Sequence, residues 1–291
     1  MARVTVLEAI QRSAEFLAKK GVDSPRLQAE LLLAHLLKMP RMKLYLSFER
    51  VLTATEVDAF RELVKRRGQR EPLQHIVGST CFCGLEIAVS RQALVPRPET
   101  ELLAERGWRF LNEVASRAGE TPSALDFGTG SGCLAIALAS KCATAEVCAV
   151  DVSAEALELA RENAGRLGVA GRIRFVQGDG FGALAAAERF DLIISNPPYI
   201  PSAEIGTLQP EVRDYDPRGA LDGGADGLDY GRRLAAESAS FLKPGGRLML
   251  EFGDGQAESL RAIFQQQKWI VEAMVEDYTH RPRFLVAART E

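Results

Sequence analysis

The sequence has no excess of basic residues: 36 Lys and Arg stand against 39 Asp and Glu, which gives a formal net charge of −3. Proteins that bind duplex DNA usually present a basic face, so we expect no stable binding to nucleic acid. No apolar stretch approaches the length of a membrane span, and no charged-then-apolar leader precedes the first helix. The sequence therefore predicts a protein of the cytoplasm with no membrane partner.

Cysteine and histidine are also scarce, with five and three residues in a chain of 291. The cysteines are odd in number and lack the spacing of a disulfide framework, so we interpret them as reduced core residues. Cys81 and Cys83 are separated by one residue, which is not the spacing of a zinc knuckle. The histidines are far apart in sequence. We therefore expect no metal site.

The length allows one large domain and one small domain, and the 46% hydrophobic and 26% charged residues are typical of a globular protein. Residues 1–71 have the pattern of a small helical domain, with capping boxes at Thr5 and Thr53. It contains no nucleophile or glycine loop, so we interpret it as a substrate-recognition domain. Residues 72–95 are interpreted as a β-hairpin linker, in which His75–Gly78 and Leu85–Val89 are the strands.

Residues 96–291 alternate between helical and strand patterns. We predict a helix near 100–117, further helices at 153–167 and 225–242, and five strands at about 123–127, 145–150, 173–178, 191–195 and 246–252. This alternation is typical of a doubly wound, Rossmann-like parallel sheet. Trp269–Glu276 and Phe284–Ala288 have no helix between them and predict an antiparallel hairpin at the sheet edge.

A glycine-rich turn follows the first predicted strand and precedes a helix. Glycines at such a turn let the backbone approach a ligand closely. The candidate cofactor residues in this turn are Gly128, Thr129, Gly130, Ser131 and Gly132. The spacing fits both a dinucleotide site and an S-adenosylmethionine site. Asp126 favours the second interpretation, because a carboxylate opposes a pyrophosphate and favours a sulfonium cofactor that carries an ammonium group.

Acidic residues also end the next two strands. Asp151 lies about twenty residues after the glycines, where a carboxylate can accept hydrogen bonds from ribose hydroxyls. Gly178–Phe181 ends the third strand. There we predict that Asp179 holds an exocyclic amine and that Phe181 packs on a purine. An N-cap role is the alternative for each carboxylate alone.

The fourth strand, Asp191–Ile194, leads directly into Asn196, Pro197, Pro198 and Tyr199. The two prolines end the strand and hold Asn196 extended at the carboxyl edge of the sheet, where ligands bind in such folds. The Asn196 and Pro197 carbonyls together can accept both hydrogens of a planar NH2 group, and Tyr199 can stack on it. This arrangement predicts a catalytic site that holds an amide or exocyclic amine and aims its nitrogen at an electrophile.

These motifs resemble the release factor glutamine methyltransferase family. The resemblance covers essentially the whole chain and includes the helical domain, residues 72–78, Pro96–Glu101, Asp126–Gly132, Asn196–Tyr199, Asp216-Pro217 and Ala220-Leu221. Gly180, which the resemblance places beside the cofactor, departs from it, because relatives often have a bulky residue there; Phe181 is expected to supply that packing. Pro96–Glu101 is its more selective mark. For Arg97 and Glu99 two interpretations stay open: a linker with a helix start, or a lip over the active site.

The resemblance implies methyl transfer from S-adenosylmethionine, with S-adenosylhomocysteine as product, to the glutamine side chain of the Gly-Gly-Gln motif in peptide chain release factors. It implies a monomer whose partner is the release factor. Three alternatives remain: a ribosomal-protein glutamine methyltransferase, a DNA adenine-N(6) methyltransferase, which shares Asn-Pro-Pro-Tyr, and a cofactor-binding or dehydrogenase-like protein without transferase activity.

Overall fold

The computed structural model describes residues 3–117 and 119–289. They form two compact units. The helical unit comprises Met1–Ser79 and Gln209–Tyr215, and the α/β unit comprises Thr80–Leu208 and Asp216–Glu291. The helical unit is therefore discontinuous in sequence, a feature absent from the boundaries predicted above.

The helical unit packs its helices around one apolar core. Thr5 and Thr53 each accept a hydrogen bond from the backbone N–H three residues later, and Glu8 and Glu56 bond back to them, so both predicted capping boxes form. Leu17, Leu33 and Phe60 are among the buried core residues. The helices are α1 (Val6–Lys19), α2 (Pro25–Leu36), α3 (Arg41–Tyr45), α4 (Ala54–Gly68), α5 (Leu73–Val77) and α9 (Pro210–Arg213).

The segment Gln209–Tyr215 is held in the helical unit by a cluster of charges. Glu211 accepts two hydrogen bonds from Arg70, at 2.7 and 2.6 Å, and one from Arg67 at 2.7 Å. The Arg67 side chain is only 4% exposed. Burial disfavours the charged form of Glu211, but the bonds from Arg70 and Arg67 outweigh this effect and lower its pKa.

Glu211→Gln is therefore expected to lower the free energy of unfolding by about 3 kcal/mol, because it leaves the buried Arg67 guanidinium without a compensating charge. Denaturant unfolding of the full chain at pH 7.5 measures the change. Glu62→Gln is the matched control, because Glu62 forms an exposed ion pair with Lys65 on α4 and such pairs contribute about 0–1 kcal/mol. Equal losses of unfolding free energy in the two variants would show that the Glu211 cluster stabilises the protein no more than an exposed ion pair does.

The linker differs from its prediction in one respect. Residues 73–77 form α5, which ends at Gly78 with a φ of 86°. The predicted strand at His75–Gly78 is therefore wrong: a left-handed glycine is a typical helix terminator. The hairpin lies just beyond it and consists of β1 (Ser79–Phe82) and β2 (Leu85–Ala88).

The α/β unit contains a seven-stranded sheet with strand order β5-β4-β3-β6-β7-β9-β8. The first five strands in this order are parallel, and β9 pairs antiparallel with both β7 and β8. The sequence predicts the five parallel strands and the antiparallel pair formed by the last two. The strands are β3 (Ser123–Phe127), β4 (Glu146–Asp151), β5 (Ile173–Gln177), β6 (Phe190–Ser195), β7 (Leu242–Glu251), β8 (Trp269–Glu276) and β9 (Pro282–Arg289). The helices are α6 (Thr100–Ala115), α7 (Cys133–Lys141), α8 (Ala154–Arg166), α10 (Asp229–Glu237) and α11 (Ala257–Gln266).

Two apolar clusters cover the faces of this sheet. Leu138, Leu192 and Ile194 belong to one, and Leu125, Ile193 and Leu250 to the other. Neighbouring residues of β6 thus point to opposite faces and are buried on both, which explains the continuous apolar run in its sequence.

The strand β7 begins earlier than predicted. Its pairing with β6 shifts between Phe190 and Leu192, where Leu242 and Arg247 are the respective partners. The residues Pro244–Gly246 thus form an irregularity inside β7. A proline and a glycine are typical of such bulges.

Among the residues described, no helix combines the length and apolar character needed to span a membrane.

Candidate active site

A cleft of about 200 Å³ lies at the carboxyl ends of the parallel strands. This is the edge at which open α/β sheets bind ligands. The predicted site residues that line it are Gly128, Gly130, Asp151, Asp179, Gly180, Asn196, Pro197 and Pro198. Residues that lie far apart in the chain are therefore brought together as the sequence predicts.

The glycine-rich turn connects β3 to α7. Gly128 has a φ of 75° and Gly130 a φ of 55°, so both occupy the left-handed region that favours glycine. A Cβ at Gly128 would meet no atom within 4 Å, which leaves its backbone open to the cleft. Thr129 and Ser131 are buried. Gly132, whose Cβ would lie 3.0 Å from that of Ala160, allows the turn to pack on α8.

Asp126 supports this turn from inside the protein. Its carboxylate accepts hydrogen bonds from the Thr129 hydroxyl at 2.6 Å and from the Ala135 N–H at 3.0 Å. Burial raises the pKa of Asp126 to about 7. Because it is fully buried and does not line the cleft, our expectation that it faces a cationic ligand is not met.

Asp151, at the end of β4, links the glycine turn to the next helix. Its Oδ2 accepts from the Gly130 N–H at 2.8 Å and its Oδ1 from the Ser153 N–H at 2.9 Å. Ser153, not Asp151, caps α8. Each carboxylate oxygen has further lone-pair capacity, so Asp151 can still accept hydrogen bonds from a ligand.

The end of β5 differs from the prediction. Phe181 is buried and packs on Phe127 and Phe241, with ring centroids 5.0 and 4.9 Å away. It lies in the core and does not line the cleft, so its predicted packing on a purine is not found. The Asp179 carboxylate is exposed and pairs with Arg233, so it already has a cationic partner.

Gly180 is needed because Phe127 lies against it. A Cβ there would overlap the Phe127 ring, at 2.6 Å from Cζ, and the φ of Gly180 is 59°. The Phe127 ring thus takes up the space next to Gly180 on the core side. The bulky residue that relatives often carry at this position therefore has no room here.

Gly180→Ala is expected to cost about 2–4 kcal/mol of folding free energy, through the clash with Phe127 and the left-handed backbone. Thermal and denaturant unfolding measure this loss. Gly182→Ala is the control, because a Cβ at Gly182 meets nothing within 4 Å. If both variants unfold like the wild type, the ring does not restrict this position.

The segment Asn196–Tyr199 follows β6 at the edge of the cleft. The Asn196 Nδ2 donates to the Thr100 Oγ1 at 3.0 Å. Its Oδ1 is buried and has no hydrogen-bond partner among the residues described. A buried acceptor without a donor costs about 1–3 kcal/mol, so a ligand N–H that reached this atom would remove that cost.

Tyr199 differs from the other residues of its motif. It does not line the cleft but a small space beside it, and burial raises its pKa. The nearby Glu251 carboxylate raises this pKa further. The Tyr199 ring is therefore not placed to stack on a substrate amide in the cleft, as the sequence predicted. It lies behind the Asn196–Tyr199 motif and supports it.

Arg97 fixes a wall of the cleft. It donates to the buried Asp216 at 2.6 Å. Burial raises the pKa of Asp216 even though Arg97 opposes the shift. Pro217 and Ala220, next along the chain, line the cleft. This favours the lip interpretation of Arg97, while α6 begins directly after Glu99.

Sequence reasoning missed several residues of the site. Val152 and Tyr230 line the cleft, and Thr100 and Glu251 form a hydrogen-bonded chain behind Asn196. Glu251 carried a usable signal: like Asp151, it is an acidic residue that ends a buried strand.

The site fits the cofactor that the resemblance implies. Gly128 offers open backbone to the cleft, and Asp151 offers carboxylate acceptors. Within residues 3–117 and 119–289, no group of three or more His, Cys, Asp or Glu side chains is arranged to hold a metal ion.

Comparison with known proteins identifies the class first. Residues 105–208 match the methyltransferase small domain family, and residues 8–78 match the PrmC N-terminal domain. The fold also occurs in the hMettl16 catalytic domain, with a TM-score of 0.54 and 15% identity over 83% of this chain and 84% of that chain. The chain is therefore a methyltransferase, of a class that generally uses S-adenosylmethionine.

Two curated relatives define the family. The release factor glutamine methyltransferase of Geobacter sulfurreducens is 44% identical, over 90% of this chain and 89% of its own length. That of Chlorobaculum tepidum is 46% identical, over 87% of each chain. The chain belongs to the release factor glutamine methyltransferase family. The predicted family, fold class and enzyme class are thereby confirmed.

Proposed function

We propose that this chain methylates the side-chain amide nitrogen of the glutamine in the Gly-Gly-Gln motif of peptide chain release factors. Membership of the family supports this reaction and substrate. The observation that carries the proposal is the Asn196 Oδ1, a buried acceptor without a donor in a residue that lines the cleft. The NH2 group of a glutamine supplies the missing donor.

We infer that the cofactor is S-adenosylmethionine and that Gly128, Gly130 and Asp151 hold it, with Gly180 beside it. The bound cofactor supplies an activated methyl group. The open backbone of the two glycines admits close contact, and the Asp151 oxygens accept from ribose hydroxyls. Thr129, Ser131 and Gly132 act indirectly by giving the turn its shape.

The protein has to orient a weak nucleophile, because the lone pair of an amide nitrogen is delocalised into its carbonyl. Bound S-adenosylmethionine would supply a methyl carbon, whose bond to sulfur would break with its electron pair going to sulfur as the amide nitrogen bonds to the carbon. One N–H proton would pass to water, and the product would be S-adenosylhomocysteine. Acceptors at Asn196 and Pro197 stabilise the positive charge that develops on nitrogen. Pro198 keeps the motif extended, and Tyr199 supports it.

We further propose that the protein acts as a monomer in the cytoplasm, where release factors work, and that it forms no stable complex with nucleic acid. The formal net charge of −3 supports the last point. Residues 1–71 form most of the helical unit, and we propose that they recognise the release factor.

Label transfer from methyl-tritiated S-adenosylmethionine tests the function. The acceptors are a purified release factor, the same factor with the Gly-Gly-Gln glutamine changed to alanine, a ribosomal protein fraction and duplex DNA. Label on the intact factor alone is expected. Label on ribosomal protein or DNA would show that the proposed substrate is wrong. Absence of label from every acceptor, with cofactor bound, would favour a cofactor-binding protein without transferase activity.

A further inference from the structure

A buried carboxylate lies behind the catalytic motif. Glu251 ends β7 and is 1% exposed. Its Oε2 accepts a hydrogen bond from the Thr100 hydroxyl at 2.7 Å, and Thr100 is also 1% exposed. The Thr100 Oγ1 in turn lies 3.0 Å from the Asn196 Nδ2. A chain of two hydrogen bonds thus connects Glu251 to the amide of Asn196.

The direction of these bonds follows from the chemistry of the groups. An ionised carboxylate only accepts hydrogen bonds, so Thr100 must give its single proton to Glu251. The Thr100 oxygen can then only accept from Asn196, which turns the NH2 group of Asn196 towards Thr100. The Oδ1 of Asn196 is consequently left as the atom without a protein donor.

We propose that Glu251 and Thr100 are positioning residues that orient the Asn196 amide so that its oxygen accepts the substrate N–H. This inference rests on the proposed function and adds two residues to it. Neither residue lines the cleft, so both act through Asn196. If the Asn196 side-chain amide flipped, so that its NH2 and its oxygen exchanged places, its NH2 would face the NH2 of the substrate. The hydrogen bond from the substrate to Asn196 would then be lost.

Protonation of Glu251 would remove this constraint on the orientation of the Asn196 amide. Four groups act on its charge: the Thr100 hydroxyl bonds to it, the nearby Tyr199 hydroxyl and Arg283 favour its ionised form, and Glu99 disfavours it. Burial is the largest effect and raises the pKa of Glu251 to about 7. A protonated Glu251 can donate to Thr100, which frees the Thr100 hydroxyl to donate to the Asn196 oxygen.

The hydrogen bonds therefore run from Asn196 through Thr100 to Glu251, as catalysis requires, only when Glu251 is ionised. Because its pKa is raised, the ionised form is present above about pH 7 and is lost as the pH falls. We expect kcat to fall about tenfold per pH unit on the acid side. Burial also raises the pKa of Asp126 to about 7, so protonation of Asp126 would also lower kcat on the acid side. Variants are therefore needed to decide which carboxyl group causes the fall.

Glu251→Gln tests the assignment. The amide oxygen of glutamine can accept from Thr100 at every pH, so we expect kcat at pH 8.5 to fall less than about tenfold and the acid limb to disappear. Glu272→Gln, which alters an exposed ion pair with Arg247, is the control and should keep the wild-type profile. An unchanged acid limb in Glu251→Gln would overturn the inference.

Thr100→Val tests the connection itself. Valine has the shape of threonine but cannot relay the hydrogen bond, so kcat is expected to fall about 100-fold, with cofactor Kd and substrate KM within about threefold of wild type. Thr100→Ser restores the hydroxyl and should recover most of kcat. The control Thr144→Val removes an exposed hydroxyl that precedes β4.

All variants are assayed as full-length chains with a release factor substrate, and cofactor titration verifies that each is folded. If the wild type fails to label the factor, the proposed function fails and the positioning role falls with it. If the wild type labels it but Thr100→Val retains kcat, or Thr100→Ser is equally impaired, only the positioning role is refuted.

Discussion

Asn196→Ala lowers kcat by about 1,000-fold or more, with the Kd for S-adenosylmethionine within about threefold of wild type; this is the largest effect we expect. The substitution removes the acceptor for the substrate NH2 group. The substrate then loses both its orientation and the stabilisation of the developing charge. Alanine leaves the glycine turn and Asp151 unchanged, so cofactor binding survives.

Single-turnover label transfer and calorimetric titration with cofactor measure the two quantities separately. The control is Asn112→Ala, which removes an exposed amide of α6 that donates to the backbone carbonyl of Lys141 at the end of α7, away from the cleft. A parallel loss of cofactor affinity and turnover in Asn196→Ala would contradict this division of roles, since it would mean that Asn196 mainly holds the cofactor.

Asp151→Ala is expected to raise the Kd for S-adenosylmethionine about 100-fold, equivalent to about 2.7 kcal/mol. The carboxylate serves two purposes. It offers acceptors for ribose hydroxyls, and it holds the Gly130 and Ser153 N–H groups at 2.8 and 2.9 Å. Its loss removes the ligand contact and also relaxes the glycine turn, whereas kcat at saturating cofactor should change much less.

Equilibrium titration with the cofactor and with S-adenosylhomocysteine checks this expectation. Asp151→Asn keeps one acceptor oxygen and should give an intermediate Kd. Asp254→Ala removes an exposed carboxylate that pairs with Arg281 and should bind like the wild type. A Kd within threefold of wild type in Asp151→Ala would exclude Asp151 from the cofactor site.

Much of the fold can be predicted from the sequence because its signals are local. A short apolar, β-branched run such as Leu192–Ile194 is typical of a strand buried on both faces, and the prolines after Asn196 fix where it ends. The carboxyl ends of parallel strands meet at one edge, so Gly128, Asp151 and Asn196 could be placed together without coordinates.

The parts that could not be predicted depend on packing between distant residues. Whether Phe181 faces the cleft or the core is decided by Phe127 and Phe241, which belong to other elements. The direction of the Asp126 carboxylate depends on Thr129 and on the start of α7. Spacing along the chain does not contain this information.

The hydrogen-bonded chain behind Asn196 could not be predicted either, because it also joins residues that are distant in the sequence. Thr100 lies 96 residues before Asn196, and Glu251 lies 151 residues after Thr100. Each residue alone has an ordinary interpretation, as a helix start or as a strand end. Only their distances identify them as one group.

The order in which a ribosome makes the chain gives the discontinuous helical unit a further consequence. Arg70 is synthesised 141 residues before Glu211, which at an elongation rate of about 5–20 residues per second takes roughly 7 to 28 s. Throughout that interval the Arg67 and Arg70 guanidinium groups have no Glu211 to bind. The first domain to leave the ribosome is thus completed only after the catalytic motif has been made, and a fragment that ends at residue 79 lacks a carboxylate on which its own stability depends.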